Sequence, residues 1–288
     1  MSKYIIPTPK NLYNVNIKSL LCNFLNFENK NLIFFDIETL GLTSNFEFEQ
    51  ILQISAWCVD GNTFDKKEEF NIKVKLSEAT TFFLSGIDRV QNEAWKRRQK
   101  QRGSSLNEPH QILKFTNYFN LDSTELSEKD SIQEFNNFIS KYDDVILIAH
   151  NIDFDIKFIL SRCKLHKLKF ESTLALDTLK VSQFFFAPLV QTIATKNKEC
   201  ETYLNTLRGL SKTNKHISSK LGHLAIALGF SSKNWHTASA DVEMMYYVFR
   251  KIVNLLERHR DIDISSAQTF TLNKTQKRKH HLSCRSKF

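Results

Sequence analysis

Five side chains have the types and spacing to do chemistry together. They are Asp36 and Glu38 in Phe35-Asp36-Ile37-Glu38-Thr39, Asp155 in His150-Asn151-Ile152-Asp153-Phe154-Asp155, and His236 with Asp241 in His236-Thr237-Ala238-Ser239-Ala240-Asp241. Asp36 and Glu38 end the apolar run Leu32-Ile33-Phe34-Phe35, which reads as a strand, and residues i and i+2 of a strand point to the same side. Two carboxylates presented together repel one another unless a cation sits between them, and hard divalent ions with oxygen ligands are the usual cation. A charged metal site beside a strand end suits phosphoryl chemistry. Alone the pair is a weak signal, because a chain with 31 acids in 288 residues holds others at that spacing. Glu47 and Glu49 are such a pair and read as loop or strand-edge charges facing water.

The other acids depend on elements that must carry them to the first two. Val145-Ile146-Leu147-Ile148-Ala149 is a short apolar run of the kind that forms a strand buried on both faces. It leads to His150-Asn151 and then to a helix with Ile156, Ile159, Leu160 and Cys163 inward. Asp155 then lies in the first turn of a helix that starts at a strand's carboxyl end, where clefts form in α/β sheets. Met245, Val248, Phe249, Ile252, Leu255 and Leu256 recur at helical spacing through Arg258. Thr237 is a suitable N-cap for that helix, which puts Asp241 just inside it and His236 on the loop before it.

Further strands are expected at Leu32–Ile37, Ile51–Val59 and Phe70–Leu76, the last with Phe70, Ile72, Val74 and Leu76 inward. Asp60-Gly61-Asn62 is a good hairpin turn, so these three form an antiparallel meander. Ser131–Tyr142 is an amphipathic helix with Ile132, Phe135, Phe138, Ile139 and Tyr142 inward. A strand near Leu174–Asp177, a helix into Phe186, a polar stretch from about Gln191 to Ser219 and two closing helices follow. The organisation read from this is an N-terminal extension over 1–30 with a short helix around Val15–Phe27, a catalytic domain over 31–260 with a polar, basic insertion at about 91–128, and a basic, disordered tail over 261–288.

A chain of 288 residues can bury one sizeable core with appendages. No apolar run reaches the length of a membrane span and the N-terminus lacks the apolar stretch of a signal peptide, so the expectation is a soluble, intracellular protein, cytoplasmic or nuclear. Five cysteines, odd in number and without CxxC spacing, read as free buried thiols rather than a zinc site or disulfide framework. The net charge of +9 is uneven. Thr271–Phe288 carries six basic residues and no acid, and Trp95–Phe115 carries six against Glu108 alone, which leaves the remainder at −2. Lys and Arg grouped in this way supply the phosphate contacts that dominate non-specific nucleic-acid affinity.

Taken in order, Asp36-x-Glu38, Asp155 after His-Asn-x-x-Phe, and His236-x-x-x-x-Asp241 resemble the three motifs of the DEDD superfamily of 3′–5′ exonucleases. The variant resembled is the histidine one (DEDDh), the group of the bacterial proofreading exonuclease subunit, ribonuclease T and three-prime repair exonucleases. The resemblance runs from about Asn31 to His259. Secondary matches lie in Glu49-Gln50-Ile51-Leu52-Gln53-Ile54-Ser55-Ala56, in Leu84-Ser85-Gly86-Ile87 (with Ser85 where the family has histidine), in Leu176-Asp177-Thr178-Leu179 and in Leu221–Gly229.

The resemblance implies a ribonuclease-H-like α/β fold: a mixed five-stranded sheet, three antiparallel strands then a parallel βαβ unit, flanked by helices. It implies two Mg2+ or Mn2+ ions, with Asp36 bridging both, Glu38 and Asp241 completing the nucleophile-side ion, and Asp155 holding the second. His236 is implied as general base, a role suited to an imidazole whose pKa lies near working pH. Thr39, Gly41, Leu42, Asn151 and His236 are implied to meet the terminal nucleotide, although Leu40 stands where the family more often has Thr. The implied reaction removes nucleoside 5′-monophosphates from 3′ ends, single-stranded DNA or RNA being preferred. Two other readings stay open: a metal-dependent endonuclease on the same fold, and a catalytically silent nucleic-acid-binding module. His150 reads as ordering its loop, Asp177 as packing near the cleft, and Asp153 as facing solvent.

Overall fold

The computed structural model describes residues 15–40, 49–81, 126–170, 174–211, 217–230 and 237–268. At its centre is β1 (Asn31–Thr39), antiparallel to β2 (Ile51–Asp60) and parallel to β4 (Val145–Ala149). β3 (Lys66–Lys73) lies outside β2 and β5 (Leu174–Asp177) outside β4, giving the order β3-β2-β1-β4-β5. The mixed five-stranded sheet flanked by helices is the fold expected from the sequence.

β1 is central because both of its faces are apolar where helices cover them. Leu32, Ile33, Phe34 and Phe35 are all fully buried. The Phe35 ring packs against Phe135 of α2 (Glu128–Ser140), with centroids 5.6 Å apart. On the opposite face Phe34 packs edge-on against Tyr246 and Phe249 of α8 (Ala238–Arg258). By the two-residue period, Phe34, Asp36 and Glu38 share the α8 face. The long helix therefore lies over the strand that carries the acid pair.

α3 (Ile152–His166) leaves β4 after two residues and joins α2 through a buried charge cluster. Glu128 and Arg162 are 7% and 5% exposed. The carboxylate takes Arg162 Nη2 at 2.6 Å, His166 Nε2 at 2.7 Å and the Ile51 N–H at 2.8 Å. An isolated charge so buried would be very unfavourable, and the Arg fork and a backbone donor offset it. Further helices are α1 (Ile17–Asn23), a continuous run of α4 (Thr178–Val181), a π-helical turn (Ser182–Phe186) and α5 (Ala187–Ile193), then α6 (Lys198–Gly209) and α7 (Leu221–Ala227). No helix among the described residues is long and apolar enough to cross a membrane.

Several expectations need correction. β3 begins at Lys66, before Phe70, and stops at Lys73, so of the expected inward residues the fully buried one, Val74, lies beyond the strand. Its charged start is tolerated because β3 is an edge strand, where Lys66 pairs with Glu69 and Lys67 with Asp60. On α3, Leu160 is 36% exposed and Phe158 takes the inward place. The polar stretch from Gln191 contains α6, which Asn197 caps and which buries Cys200, Leu204 and Leu207. Residues 1–30 are an extension only in part, since Ile17, Leu20, Leu25 and Phe27 lie in the common core. Nor is the tail disordered from 261: Ile264 is buried, and Gln268 Nε2 donates to the Phe184 carbonyl at 2.9 Å. Glu49 is buried rather than facing water, and Cys22 is exposed while Cys58, Cys163 and Cys200 are buried free thiols. Glu47, Cys284, the tail from 269 and all but the last three residues of the 91–128 insertion lie outside the described residues.

Candidate metal centre

The last pairing between β1 and β4 is Phe34 with Ile148, so Asp36 to Thr39 run on past the end of β4. Asp36 and Glu38 meet Asp241 there, in the first turn of α8. One carboxylate oxygen from each of the three lies within 4.8 Å of the others, and all three residues are partly exposed. Oxygens that ligate one hard divalent ion sit 2.0 to about 2.6 Å from it and hence no more than about 5 Å apart. The donor set fits such an ion.

Two hydrogen bonds set the helix that supplies Asp241. The Thr237 hydroxyl accepts the Ala240 N–H at 3.3 Å, the N-cap expected from the sequence. Gln53 Oε1 accepts the Ala238 N–H at 3.2 Å. Gln53 stands opposite Glu38 in the β1–β2 register, and that register shifts immediately afterwards, between Glu38 and Thr39.

Asp155 reaches β1 from the α3 side and is 4% exposed. Its carboxylate accepts its own N–H and that of Ile37, a strand donor beyond the last β4 pairing. Burial pushes its pKa well above the usual carboxylate range, and the negative Asp177 and Glu38 add to the rise against those two hydrogen bonds. A divalent cation is what relieves a buried carboxylate among other acids.

The loop before α3 is built to aim Asp155. Asn151 adopts a left-handed conformation (φ 71°, ψ 46°), which Asn tolerates better than most residues. Its N–H donates to Asp177 Oδ1 at 3.0 Å, and the same oxygen accepts Leu179 N–H at 2.9 Å. Lys180 Nζ lies 3.2 Å from Asp177 Oδ2 and 3.0 Å from Asp153 Oδ2. Burial works against the Lys180 ammonium, but Asp177 and Asp153 outweigh it and hold the pKa above the ordinary lysine value. His150 bridges Thr178 Oγ1 at 3.0 Å and the Ser219 carbonyl at 2.9 Å. Burial pushes its pKa down against the pull of Asp177 and the Ser219 carbonyl, while the Thr178 hydroxyl also reaches the Ala149 carbonyl at 3.3 Å. His150 orders the loop.

Of the residues singled out in the sequence, the structure brings Asp36, Glu38 and Asp241 together and sets Asp155 close enough to Glu38 to feel its charge. Thr39 is partly buried at the end of β1, and Asn151 is exposed at the head of α3. His236, Gly41 and Leu42 lie outside the described residues. Sequence reasoning missed Gln53, Glu128 and Lys180. Gln53 is, with Ser55, a polar side chain buried within a mostly apolar strand, and that was the one signal available.

Sheet order, helix placement and grouped acids define a ribonuclease-H-like nuclease domain. The family described as DNA polymerase family B, exonuclease domain, matches residues 13–205, and the chain belongs to that family, within the DEDD superfamily of 3′–5′ exonucleases. It is also similar to a PolC-type DNA polymerase III of Pediococcus pentosaceus, 27% identical over 159 residues, which are 54% of this chain and 9% of that polymerase. Among solved structures it resembles E. coli exonuclease I in complex with a dT13 oligonucleotide (TM-score 0.53, 14% identity, 80% of this chain and 42% of that one). A second likeness is the zinc-bound form of the E. coli exonuclease I–ssDNA complex (TM-score 0.51, 16% identity, 80% and 42%). The chain spans less than half the length of these relatives. The family match ends at 205, before His236 and Asp241.

Proposed function

We propose that this chain is a two-metal-dependent 3′–5′ exonuclease that releases nucleoside 5′-monophosphates from the 3′ ends of single-stranded DNA or RNA. One observation carries the reading: oxygens of the partly exposed Asp36, Glu38 and Asp241 lie within 4.8 Å of one another at the carboxyl end of β1, with the buried Asp155 beside them on the Ile37 N–H.

Asp36 is assigned to both Mg2+ or Mn2+ ions, Glu38 and Asp241 to the nucleophile side, and Asp155 to the leaving-group side. Such a pair, when bound, activates a water on one face of the phosphorus and stabilises the departing oxygen on the other. His236 takes the proton from the attacking water, a task for which imidazole is suited near neutral pH. Thr39, Gly41, Leu42 and Asn151 hold the terminal nucleotide. The basic residues of Trp95–Phe115 and of the tail contact backbone phosphates further along the strand. Oligonucleotide bound to exonuclease I supports a nucleic-acid partner, and the existence of a zinc-bound form of that enzyme supports a divalent cation as cofactor.

The test is degradation of end-labelled single-stranded DNA, single-stranded RNA and duplexes with Mg2+, Mn2+ or chelator, on free and 3′-blocked strands. Stepwise shortening from a free 3′ end that chelator abolishes is the expected result. Cleavage of blocked strands favours the endonuclease, and binding without cleavage favours the silent module. Deleting the tail from Thr271 is expected to weaken binding in a salt-dependent way and leave cleavage at saturating substrate unchanged.

A further inference from the structure

We propose that Gln53 is a positioning residue that locks the first turn of α8, and Asp241 with it, against the strand carrying Asp36 and Glu38. The inference rests on the metal-dependent reading above and assigns a role to a residue that is not among the proposed metal ligands.

Directly opposed residues of an antiparallel pair share a face of the sheet, so Gln53 leaves β2 on the side that Glu38 uses. It is 8% exposed. Its Nε2 donates to Asn71 Oδ1 on β3 at 2.8 Å, and its Oε1 accepts the Ala238 N–H at 3.2 Å. The two bonds work together: Asn71 takes the amide's donor end, which leaves the acceptor end turned to the helix. Ala238 N–H is one of the donors that a helix start leaves without an intrahelical partner. Ala238 is fully buried, so water does not replace Gln53 there.

Thr237 organises the turn from within, its hydroxyl accepting Ala240 N–H and its carbonyl accepting Asp241 N–H at 3.0 Å. Gln53 ties that turn to the sheet. Asp241 lies three residues beyond Ala238 and so on the same side of the helix. A slide of the turn therefore carries the Asp241 carboxylate with it, and metal–ligand distances tolerate only about 0.2 Å.

The experiment uses the full chain and reads Mn2+ binding directly, by calorimetry and by the resonance signal of free Mn2+, beside kcat, KM and thermal stability. Gln53→Met keeps the side-chain length and removes both bonds. It is expected to weaken Mn2+ binding about tenfold, the usual reach of a group that orients a ligand, and to lower kcat with KM for the strand little changed. Asn71→Ala, at an exposed position, is expected to act in the same direction by roughly a third of that on a logarithmic scale. Gln53→Glu retains an acceptor for Ala238 N–H and is expected to bind Mn2+ at least as tightly as the unaltered chain. Unchanged Mn2+ affinity and kcat in Gln53→Met overturns the proposal; should that variant fail to fold, unchanged values in Asn71→Ala do so. Failure of the unaltered chain to bind Mn2+ overturns the exonuclease reading itself, whereas Mn2+ binding indifferent to Gln53 and Asn71 removes only the positioning role.

Discussion

Two helices each deliver a carboxylate to the carboxyl end of β1, and they do so by different means. α8 starts with Thr237 as an ordinary side-chain cap, and its Asp241 stands partly exposed among Asp36 and Glu38. α3 starts at Asn151 in a left-handed turn whose side chain makes no capping bond, and Asp177 holds that turn from β5. Its Asp155 is buried and takes the Ile37 N–H that β4 has stopped short of. Asp155 is thus woven into the hydrogen bonding of the sheet, while Asp241 is brought to the cluster by the placement of a helix end. Acids given equivalent roles should answer differently to the same substitution.

The largest expected effect is on turnover, for Asp155 as for the strand acid Asp36. Asp36→Ala and Asp155→Ala are each expected to lower turnover by on the order of 10³-fold or more while strand affinity changes only a few-fold. Undiminished cleavage by either under matched metal conditions removes that residue from the site. Next comes the scaffold that joins α2 to α3. Glu128→Ala leaves Arg162 buried and unpaired and is expected to lower stability by about 3–5 kcal/mol in urea titrations. Pairing it with Arg162→Met should restore part of that loss, because no charge is then stranded, while the Ile51 N–H still lacks its acceptor.

The comparison sharpens without metal. Asp155→Asn removes a charge that burial, Asp177 and Glu38 all disfavour, and its amide oxygen can still accept the Ile37 N–H. The metal-free variant is expected to be more stable than the unaltered chain by about 1 kcal/mol, the trade of stability for function common at active sites. Asp241→Asn, partly exposed, is expected to stay within about 0.5 kcal/mol. Equal shifts in urea midpoint for the two would erase the contrast between Asp155 and Asp241.

The smallest effect concerns pH. The folded-state pKa of His150 lies below the ordinary value of 6.5, with Asp177 and the Ser219 carbonyl opposing the burial that lowers it. The unfolded chain therefore takes up the proton first. The contribution is full above about pH 6.5, declines as pH falls through the window down to the folded-state pKa, and is constant below it. His150→Gln, which can still donate to the Ser219 carbonyl, is expected to flatten the fall in melting temperature between about pH 7 and pH 5. An unaltered slope assigns that pH dependence to other groups.

What could be read from the amino-acid order was governed by local patterning. β4 and β5 coincide with Val145–Ala149 and Leu174–Asp177, and the Thr237 cap and inward residues of α8 were all recoverable, because each is set by period, propensity or a neighbour a few residues away. The losses have one cause. Glu128 reads as a surface charge because the Arg162 that permits its burial lies 34 residues on. The charged Lys66–Glu69 looks like a loop until its place at the sheet edge is known. α6 looks polar because its apolar face is only Cys200, Leu204 and Leu207. At the site, Asp36, Glu38, Asp155 and Asp241 were visible as types at a spacing, whereas Gln53 acts across 185 residues and its one local trace is a polar side chain within an apolar run.

The most direct measurement is anomalous diffraction from crystals of the chain soaked in Mn2+. The account predicts two peaks about 3.5–4 Å apart, one among Asp36, Glu38 and Asp241 and the other between Asp36 and Asp155. Two fully occupied peaks away from these carboxylates, or saturating Mn2+ that leaves this end of β1 empty, would contradict it.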